Sequence, residues 1–269
     1  MIPDLKTCCA DVYASEWAHL LLGDSLHPGG LALTEHLGRL LGLDARNRVL
    51  DLAAGRGTSA LHLARVFGCR VVGVDYGARN VELARHAALQ AGLAERVEFA
   101  TGDAERLGGF DDSAFDAVVC ECAYCTFPDK AAAAREIARV LRPGGRFGLS
   151  DLVRSGPLAT ELAGLLAWVA CIADARPVEQ YIAEVEAVGL RVDHVEAHPE
   201  ALAELVRQVR GRLLGAELMA KLQRLELPVA ESDWQQAKLL ARRAAAAVEA
   251  GTLGYMLLVA SKPEGLQDS

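Results

Sequence analysis

Short apolar runs alternate with amphipathic segments along the first 155 residues of the chain. Five runs have the length of strands, and they are Arg48–Leu52, Arg70–Val74, Val97–Ala100, Phe115–Glu121 and Arg146–Asp151. Helical spacing of apolar residues connects them over Thr58–Phe67, Arg79–Gly92 and Ala131–Leu141. Strands that alternate with helices in this way predict an α/β fold with a mostly parallel sheet and helices on both faces.

The two ends of the chain are more helical. Residues 16–42 predict two helices with a turn at residues 27–30. After Asp151 we predict helices over Thr160–Ala175, Val178–Val188, Ala201–Leu225 and Ser232–Ala250, and strands over Arg191–Ala197 and Gly254–Ser261. The predicted organisation is a helical lid segment (1–45), a cofactor-binding core (46–155), and cap helices with closing strands of the same domain (156–269). The ends, about 1–7 and 262–269, are predicted to be disordered.

Composition excludes several classes of function. The chain has 269 residues, 52% of them apolar, and a formal net charge of −8. An acidic chain without a basic block is not expected to bind nucleic acid or an anionic membrane. The longest apolar stretch, about Leu158–Ala175, is interrupted by polar residues and does not predict a membrane span. Seven cysteines without a secretory signal indicate free thiols and a cytoplasmic location.

A glycine-rich turn follows the first predicted strand. Residues 51–57 read Asp-Leu-Ala-Ala-Gly-Arg-Gly and lead into the helix that begins at Thr58. Glycines there let the backbone approach a ligand, and the helix N-terminus offers free N–H groups. Asp75 ends the second strand, where an acid binds ribose hydroxyls. The predicted cofactor site contains Asp51, Ala53, Gly55, Gly57, Thr58, Asp75 and Tyr76.

Charge distinguishes two cofactors for this site. Gly55 and Gly57 with Asp75 also fit the dinucleotide fingerprint. A buried Asp51 would repel a pyrophosphate, but it would attract the ammonium group of S-adenosylmethionine (SAM). After the third strand, Asp103 and Ala104 offer a carboxylate and a small residue to an adenine ring. The sequence therefore favours SAM over NAD, with S-adenosylhomocysteine as the product.

The order of these segments resembles the class I superfamily of SAM-dependent methyltransferases. Five landmarks carry the likeness: Val49–Gly57, Gly73–Asp75, Gly102–Ala104, Phe115–Asp116 and Arg139–Gly145. Ala53 departs from the glycine that many members have. The resemblance implies a Rossmann-like class I methyltransferase sheet with a helical cap, a transferase activity of the EC 2.1.1 class, and a place for Cys120 beside the cofactor.

Cysteines are concentrated at the end of the fourth predicted strand, where the resemblance places the methyl acceptor. Cys120, Cys122 and Cys125 lie within six residues, and Cys120 and Cys122 would point to one side of an extended segment. They could be small core residues or ligands of a structural zinc ion, although no second C-x-x-C pair accompanies them. They could also hold a substrate.

Three stretches resemble arsenite methyltransferases in particular. They are Asp4–Cys9, Val118–Lys130 and Trp168–Ala173. The resemblance implies that Cys122 and Cys171 bind trivalent arsenic as the substrate, and that Cys8 and Cys9 serve the same site. Glu121 stands where that family has Asn, Cys120 and Cys125 are additional, and residues 195–269 differ from the family.

The chemistry of that hypothesis is coherent. Trivalent arsenic is soft and prefers thiolate ligands, and its lone pair can attack the methyl carbon without a general base. Transfer oxidises arsenic, and a thiol pair that forms a disulfide can restore the trivalent state, with glutathione or thioredoxin as external reductant. A disulfide between the adjacent Cys8 and Cys9 would be strained, so we expect one of them to pair with another thiol, such as Cys122 or Cys171. Two alternatives remain: methylation of a small organic metabolite at carbon, oxygen or sulfur, with the cysteines only lining the pocket, and a sensor of SAM or thiol-bound metal without turnover.

Most histidines have a simpler interpretation. His36 is predicted to be a surface or packing residue of a helix, and His194 and His198 are predicted to face solvent. His27, next to Pro28-Gly29, is a candidate for the mouth of the cofactor site, and Tyr13 and Tyr124 are candidates for its wall.

Overall fold

A seven-stranded sheet organises the chain. The computed structural model describes residues 5–16, 21, 23, 27–157, 167, 171–222 and 231–264. Within these residues the strands are β1 (Arg48–Leu52), β2 (Arg70–Asp75), β3 (Val97–Thr101), β4 (Phe115–Glu121), β5 (Leu141–Arg154), β6 (Arg191–Ala197) and β7 (Leu253–Ser261). Their order is β3-β2-β1-β4-β5-β7-β6. The first five strands are parallel, and β7 runs antiparallel to both β5 and β6. The predicted α/β class and mostly parallel sheet are confirmed.

Helices cover both faces of this sheet. The described helices are α1 (Leu5–Ala14), α2 (Gly30–Leu40), α3 (Thr58–Phe67), α4 (Ala78–Gln90), α5 (Lys130–Val140), α6 (Val178–Glu186), α7 (Pro199–Lys221) and α8 (Glu231–Glu249). The last four residues of β1 are all buried because both of its faces are covered, which explains its unbroken apolar run. One core contains Leu37, Leu63 and Val119, and a second core on the other face contains Leu50 and Val118.

The strand β5 begins earlier than the sequence predicts. Arg142-Pro143-Gly144-Gly145 looks like a turn, but the strand already includes it from Leu141. Leu141 pairs with Phe115, and the register then shifts before Ala117 pairs with Arg146. An irregular strand therefore replaces the predicted loop.

The predicted disorder of both ends is wrong for their described parts. Helix α1 begins at Leu5, and Lys6 within it forms ion pairs with Asp103 and Glu105. At the other end, Lys262 Nζ donates to the carbonyl oxygens of Ala138 and Leu141, each at 2.7 Å. Long-range hydrogen bonds hold these segments, and a local pattern of apolar residues does not reveal them.

The predicted cap lies partly outside the described residues. The helix predicted over Thr160–Ala175 falls mostly there, and so does the first of the two helices predicted within 16–42. Helices α7 and α8 are described, and Leu213 and Ala216 of α7 pack with Trp234 of α8 in a small separate cluster. None of the helices in the described part of the chain is long and apolar enough to cross a membrane.

Candidate active site

A cleft opens where the strand order reverses. β1 lies between β2 and β4, and Leu52 at its end pairs with Val74 on one side and Cys120 on the other. Connections leave this point in opposite directions, so the carboxyl ends of the strands border a crevice. The cleft has a volume of about 1070 Å³, including space open to solvent. Its described wall includes the ends of β1, β2 and β4, the turn after β3, and one side of α1.

Asp51 places an unpartnered carboxylate oxygen in this cleft. Its residue is 2% exposed and lines the wall, and its Oδ2 atom has no hydrogen-bond partner. Burial raises the pKa of Asp51 well above its usual range, and the nearby charges of Glu121 and Asp75 raise it further. A cationic group in the cleft would relieve both effects, because it would pair with the buried oxygen and offset the repulsion among three acids.

The glycine-rich turn contains residues of two kinds: some line the cleft, and one shapes the backbone. Ala53, Gly55 and Thr58 line the cleft, and Ala53 and Gly55 have positive φ angles of 56° and 53°. Gly57 is not part of the described wall. Its φ is 81°, and a Cβ atom there would lie 2.4 Å from the Phe99 ring. The role of Gly57 is thus to let the helix α3 pack closely on β3.

Asp75 holds the turn in place. Its Oδ2 accepts from the Gly55 amide at 2.8 Å, and its Oδ1 accepts from the Gly77 amide at 2.8 Å and from Asn80 Nδ2 at 3.0 Å. The carboxylate and the neighbouring Tyr76 both line the cleft. Asp75 therefore fixes the backbone of the cofactor turn as well as offering an acid to a ribose.

Asp103 and Ala104 also line the cleft, but Asp103 already has a partner. Lys6 Nζ lies 2.9 and 2.8 Å from the two Asp103 oxygens and 2.5 Å from Glu105 Oε2. Burial lowers the pKa of Lys6, but hydrogen bonds to the two acids outweigh it and raise the pKa overall. Lys6 thus fastens α1 across the adenine end of the predicted cofactor site.

A set of buried polar side chains lies on the opposite side of the cleft from Asp103. Glu121, at the end of β4, accepts from Thr34 Oγ1 at 3.1 and 3.0 Å, and its Oε2 lies 3.7 Å from His27 Nε2. His27 Nδ1 is 3.1 Å from the Pro28 carbonyl, which accepts only, so that nitrogen carries a proton. His27 and Glu121 both line the cleft. The sequence pointed to His27 by its place before a glycine turn, whereas Glu121 was noted only as a departure from a family pattern.

Three thiols meet beside this group. Cys122 and Cys125 lie close enough to the thiol of Cys171 to shift its pKa. Tyr13 Oη lies 3.7 Å from Cys171 Sγ, and Cys171 Sγ also lies 3.0 Å from the carbonyl oxygen of Cys122. We call Cys122, Cys125 and Cys171 the thiol cluster. Its other two thiols lower the pKa of Cys171 below the usual range of a thiol.

Backbone strain coincides with the cluster. Cys122 and Cys171 have φ angles of 54° and 63°, in the left-handed region that non-glycine residues rarely adopt. The conformation costs roughly 1–2 kcal/mol at each residue. Strain of this kind is typical of functional sites, where surrounding contacts impose it.

The cysteines do not all reach the cleft. Cys9, from α1, and Cys122 line it, whereas Cys8, Cys125 and Cys171 are not part of its described wall. Burial raises the pKa of Cys9 to about 12, and the nearby Cys171 and Cys8 contribute to the rise. The structure therefore separates the Cys8–Cys9 pair, because only one of the two side chains turns toward the cleft.

The prediction that Cys120 and Cys122 point to one side is wrong. Cys120 is fully buried in the core that contains Leu50 and Val118, and Cys122 packs against the core on the other face of the sheet. The left-handed φ of Cys122 ends the alternation of the strand after Glu121. Cys120 is not part of the described cleft wall, and this placement argues against a cofactor contact.

Comparison with known proteins identifies the family. Residues 50–149 match the family model described as a methyltransferase domain. Over 240 residues the chain is 32% identical to 27-O-demethylrifamycin SV methyltransferase of Amycolatopsis mediterranei, an alignment that covers 86% of this chain and 83% of that protein. The chain belongs to the class I SAM-dependent methyltransferases. The methyltransferase GfsG of Streptomyces halstedii is 35% identical over 183 residues, covering 67% of this chain and 66% of its own.

Solved structures have the same fold as this methyltransferase. Phosphoethanolamine N-methyltransferase 2 of Haemonchus contortus, in complex with S-adenosylhomocysteine, superposes with a TM-score of 0.78 at 20% identity, covering 97% of this chain and 61% of that one. Geranyl diphosphate C-methyltransferase of Streptomyces coelicolor, also with S-adenosylhomocysteine, gives 0.72 at 17% identity, covering 97% and 100%.

The cleft of the methyltransferase fits SAM. The unpartnered Oδ2 of Asp51 suits its ammonium group, and the acids of the wall suit its positive charge. The same acids would repel the pyrophosphate of NAD. Tyr13 lines the cleft as expected, whereas Tyr124 lies fully buried behind it. The predicted cofactor is therefore confirmed, and SAM-dependent methyl transfer is the activity.

Proposed function

We propose that this methyltransferase acts on a small, soft acceptor that thiols hold, and that trivalent arsenic is this acceptor. The observation that carries the proposal is the contact of Cys122, in the cleft wall, with Cys171 behind it, whose Sγ lies 3.0 Å from the Cys122 carbonyl oxygen; both residues have strained conformations. Core cysteines need neither feature. Soft thiophilic acceptors are the class that such a cluster recognises.

Binding proceeds by exchange of ligands. An acceptor that enters the cleft meets Cys9 and Cys122 first, because these two line the wall, and Cys171 lies directly behind Cys122. Each thiol that binds arsenite displaces one hydroxide, which leaves as water with the thiol proton. The raised pKa of Cys9, about 12, is therefore no obstacle, since binding releases no net proton.

Methyl transfer then depends on position. When bound, SAM supplies an electrophilic methyl group on its sulfonium sulfur. Asp51 and the turn at Ala53–Gly55 would hold the cofactor, and the thiols would hold the acceptor beside it. Orientation of this kind contributes on the order of 7–11 kcal/mol in well-aligned reactions. A thiol reductant such as glutathione or thioredoxin returns the oxidised arsenic to the trivalent state.

A second candidate is methylation of a hydroxyl group on an organic metabolite. His27 carries its proton on Nδ1, so its Nε2 can accept a proton from a hydroxyl in the cleft, and Glu121, 3.7 Å away, would stabilise the imidazolium. The name of the rifamycin relative supports an organic acceptor of this class.

One experiment separates the two candidates. The purified protein is incubated with labelled SAM and, in turn, arsenite, methylarsenite, selenite, sulfide, organic thiols and organic hydroxyl compounds. We expect label on arsenite, with loss of activity but retained SAM binding in Cys122→Ser and Cys171→Ser. The control is Cys69→Ala, which removes a buried thiol outside the cluster. Label on a hydroxyl compound, lost in His27→Ala and unaffected by Cys122→Ser, would establish the second candidate instead.

A further inference from the structure

We propose that His36, Glu196 and His198 form a binding site for a divalent transition-metal ion such as zinc. The three residues offer ligand atoms that all lie within 4.8 Å of one another. None of them is part of the described wall of the cofactor cleft. The site is therefore distinct from the thiol cluster and from the cofactor site, and it does not depend on which acceptor is methylated.

The carboxylate of Glu196 is the centre of this group. Its Oε1 lies 2.5 Å from His36 Nε2 and 2.8 Å from His198 Nε2, and its Oε2 lies 3.0 Å from His194 Nε2. Imidazoles from α2, from β6 and from the turn after β6 thus lie around one carboxylate. The sequence alone predicted His36 to be a surface or packing residue, and His194 and His198 to face solvent.

The donor set suits zinc and its neighbours in the periodic table. Two imidazoles with one carboxylate are common ligands of zinc, and imidazole also binds copper, nickel and cobalt well. Magnesium and calcium prefer sites made only of oxygen. Three protein ligands leave a fourth position to water, which the half-exposed side chains allow.

Small rotations of the side chains would admit the ion. Zinc binds nitrogen and oxygen at about 2.0–2.2 Å, so neighbouring ligand atoms on a tetrahedron lie roughly 3.4 Å apart. His36 and Glu196 must therefore separate by about 1 Å from their present contact. The His36 side chain is 40% exposed and that of Glu196 is 26% exposed, so both have room to move without displacing the backbone.

In the present contacts the Nε2 atoms of His36 and His198 face a carboxylate oxygen, so each carries a proton that a bound ion would displace. A neighbouring acid can support the tautomer that the metal then needs. His198 Nδ1 lies 3.4 Å from Glu200 Oε1. A proton on Nδ1 that is donated to this carboxylate frees Nε2 for the ion, and such carboxylate–histidine pairs orient metal-binding imidazoles. His194, through its contact with the second oxygen of Glu196, fixes the orientation of the carboxylate.

The position of the site determines which elements a bound ion would join. His36 belongs to α2, whereas Glu196 belongs to the edge strand β6, so an ion would join the helix to the edge of the sheet. Helix α2 also carries Thr34, which donates to Glu121 in the cleft. The ion would thus stabilise the helix whose Thr34 holds Glu121 of the cleft wall.

Cobalt(II) absorption and zinc calorimetry test the proposal on the full-length protein without an affinity tag. We expect one tight cobalt ion per chain whose spectrum lacks the intense thiolate charge-transfer band, and a zinc-dependent rise in Tm of a few degrees. His36→Ala and His198→Ala should each weaken zinc binding at least tenfold, whereas His86→Ala, on the exposed face of α4, should not.

Several results would overturn the proposal. Zinc binding that is equally tight in His36→Ala and His198→Ala, or cobalt bound only with thiolate bands, would assign the metal to the cysteines. Glu196→Gln provides a variant that keeps a hydrogen-bond acceptor for both imidazoles. If it is folded by circular dichroism and binds zinc like the wild type, Glu196 is not a ligand and the site is refuted.

Discussion

Lys6 Nζ lies 2.8 Å from Asp103 Oδ2, and this ion pair joins the first helix of the chain to the turn after β3. The two residues are 97 positions apart in the chain, so the pair ties α1 to the adenine end of the cleft. We expect Lys6→Met and Asp103→Asn to increase hydrogen exchange of the α1 amides to a similar degree. A double-mutant cycle should give a coupling energy of about 0.5–1 kcal/mol. Additive effects of the two changes would show that the pair does not hold the helix.

Asp51→Asn should weaken binding of SAM and S-adenosylhomocysteine by about ten- to a hundredfold, as expected for the loss of a hydrogen bond to a charged group worth about 1.5–3 kcal/mol. The analogue 5′-methylthioadenosine has no ammonium group, so its affinity should change little. Calorimetry with the three ligands measures this difference. Asp112→Asn, at an exposed acid, is the matched control. An equal loss for all three ligands would move Asp51 away from the amino-acid end of the cofactor.

Lys130 positions the loop that carries the thiol cluster. Its buried ammonium group donates to the carbonyl oxygens of Cys125 and Phe127, each at 2.8 Å, and to Asp174, three residues after Cys171, at 2.5 Å. Lys130→Met should lower the free energy of unfolding by about 2–3 kcal/mol, because three acceptors lose their donor. Lys238→Met breaks a more exposed ion pair and should cost less than about 1 kcal/mol. Urea unfolding compares them, and equal losses would contradict a special role for Lys130.

Asp151 gives the stability of the protein a dependence on pH. Burial raises its pKa to about 7, and the charge of Cys171 adds to the rise. An unfolded aspartate has a pKa of about 3.9, so the folded state holds the proton more tightly. The stabilisation is complete below about pH 4 and is lost as pH rises through about 7, by on the order of 4 kcal/mol. Asp51, whose pKa is also raised, adds to the same trend.

Urea unfolding between about pH 4.5 and 7.5 measures this loss. Asp151 accepts from the amides of Cys125 and Leu152, and asparagine can accept only one of these bonds. Asp151→Asn should therefore be less stable at acidic pH but have a flatter profile. A wild-type profile that rises with pH over this range would contradict the prediction.

Cys8 and Cys9 should differ in function although they are adjacent. Cys9 lines the cleft and Cys8 does not, so only Cys9 can reach an acceptor there. If the acceptor is trivalent arsenic, Cys9→Ser should slow repeated turnover several-fold while leaving SAM binding intact, and Cys8→Ser should behave like the wild type. Single- and multiple-turnover rates with and without glutathione measure this. Equal effects of the two changes would contradict this division between Cys8 and Cys9.

The cofactor half of the site could be predicted from the sequence because local signals define it. These signals are the two strand-length apolar runs that end near Asp51 and Asp75, and the glycine-rich turn between them. Each is formed by residues that are close in the chain. β1, α3 and β4 begin and end where the sequence predicts. The first strand can be recognised in the sequence because both of its faces are buried, which leaves a continuous apolar run.

The acceptor half depended on tertiary structure. The contact of Lys6 with Asp103 spans 97 residues, that of His36 with Glu196 spans 160, and that of Tyr13 with Cys171 spans 158. The left-handed backbone at Cys122, which sends its side chain away from Cys120, has no local sequence signature either. The sequence by itself determined the sheet and the class of cofactor, since the spacing of apolar residues and the residue types in turns are local features of the chain. Which thiols, acids and histidines meet was decided only by the packing of distant elements.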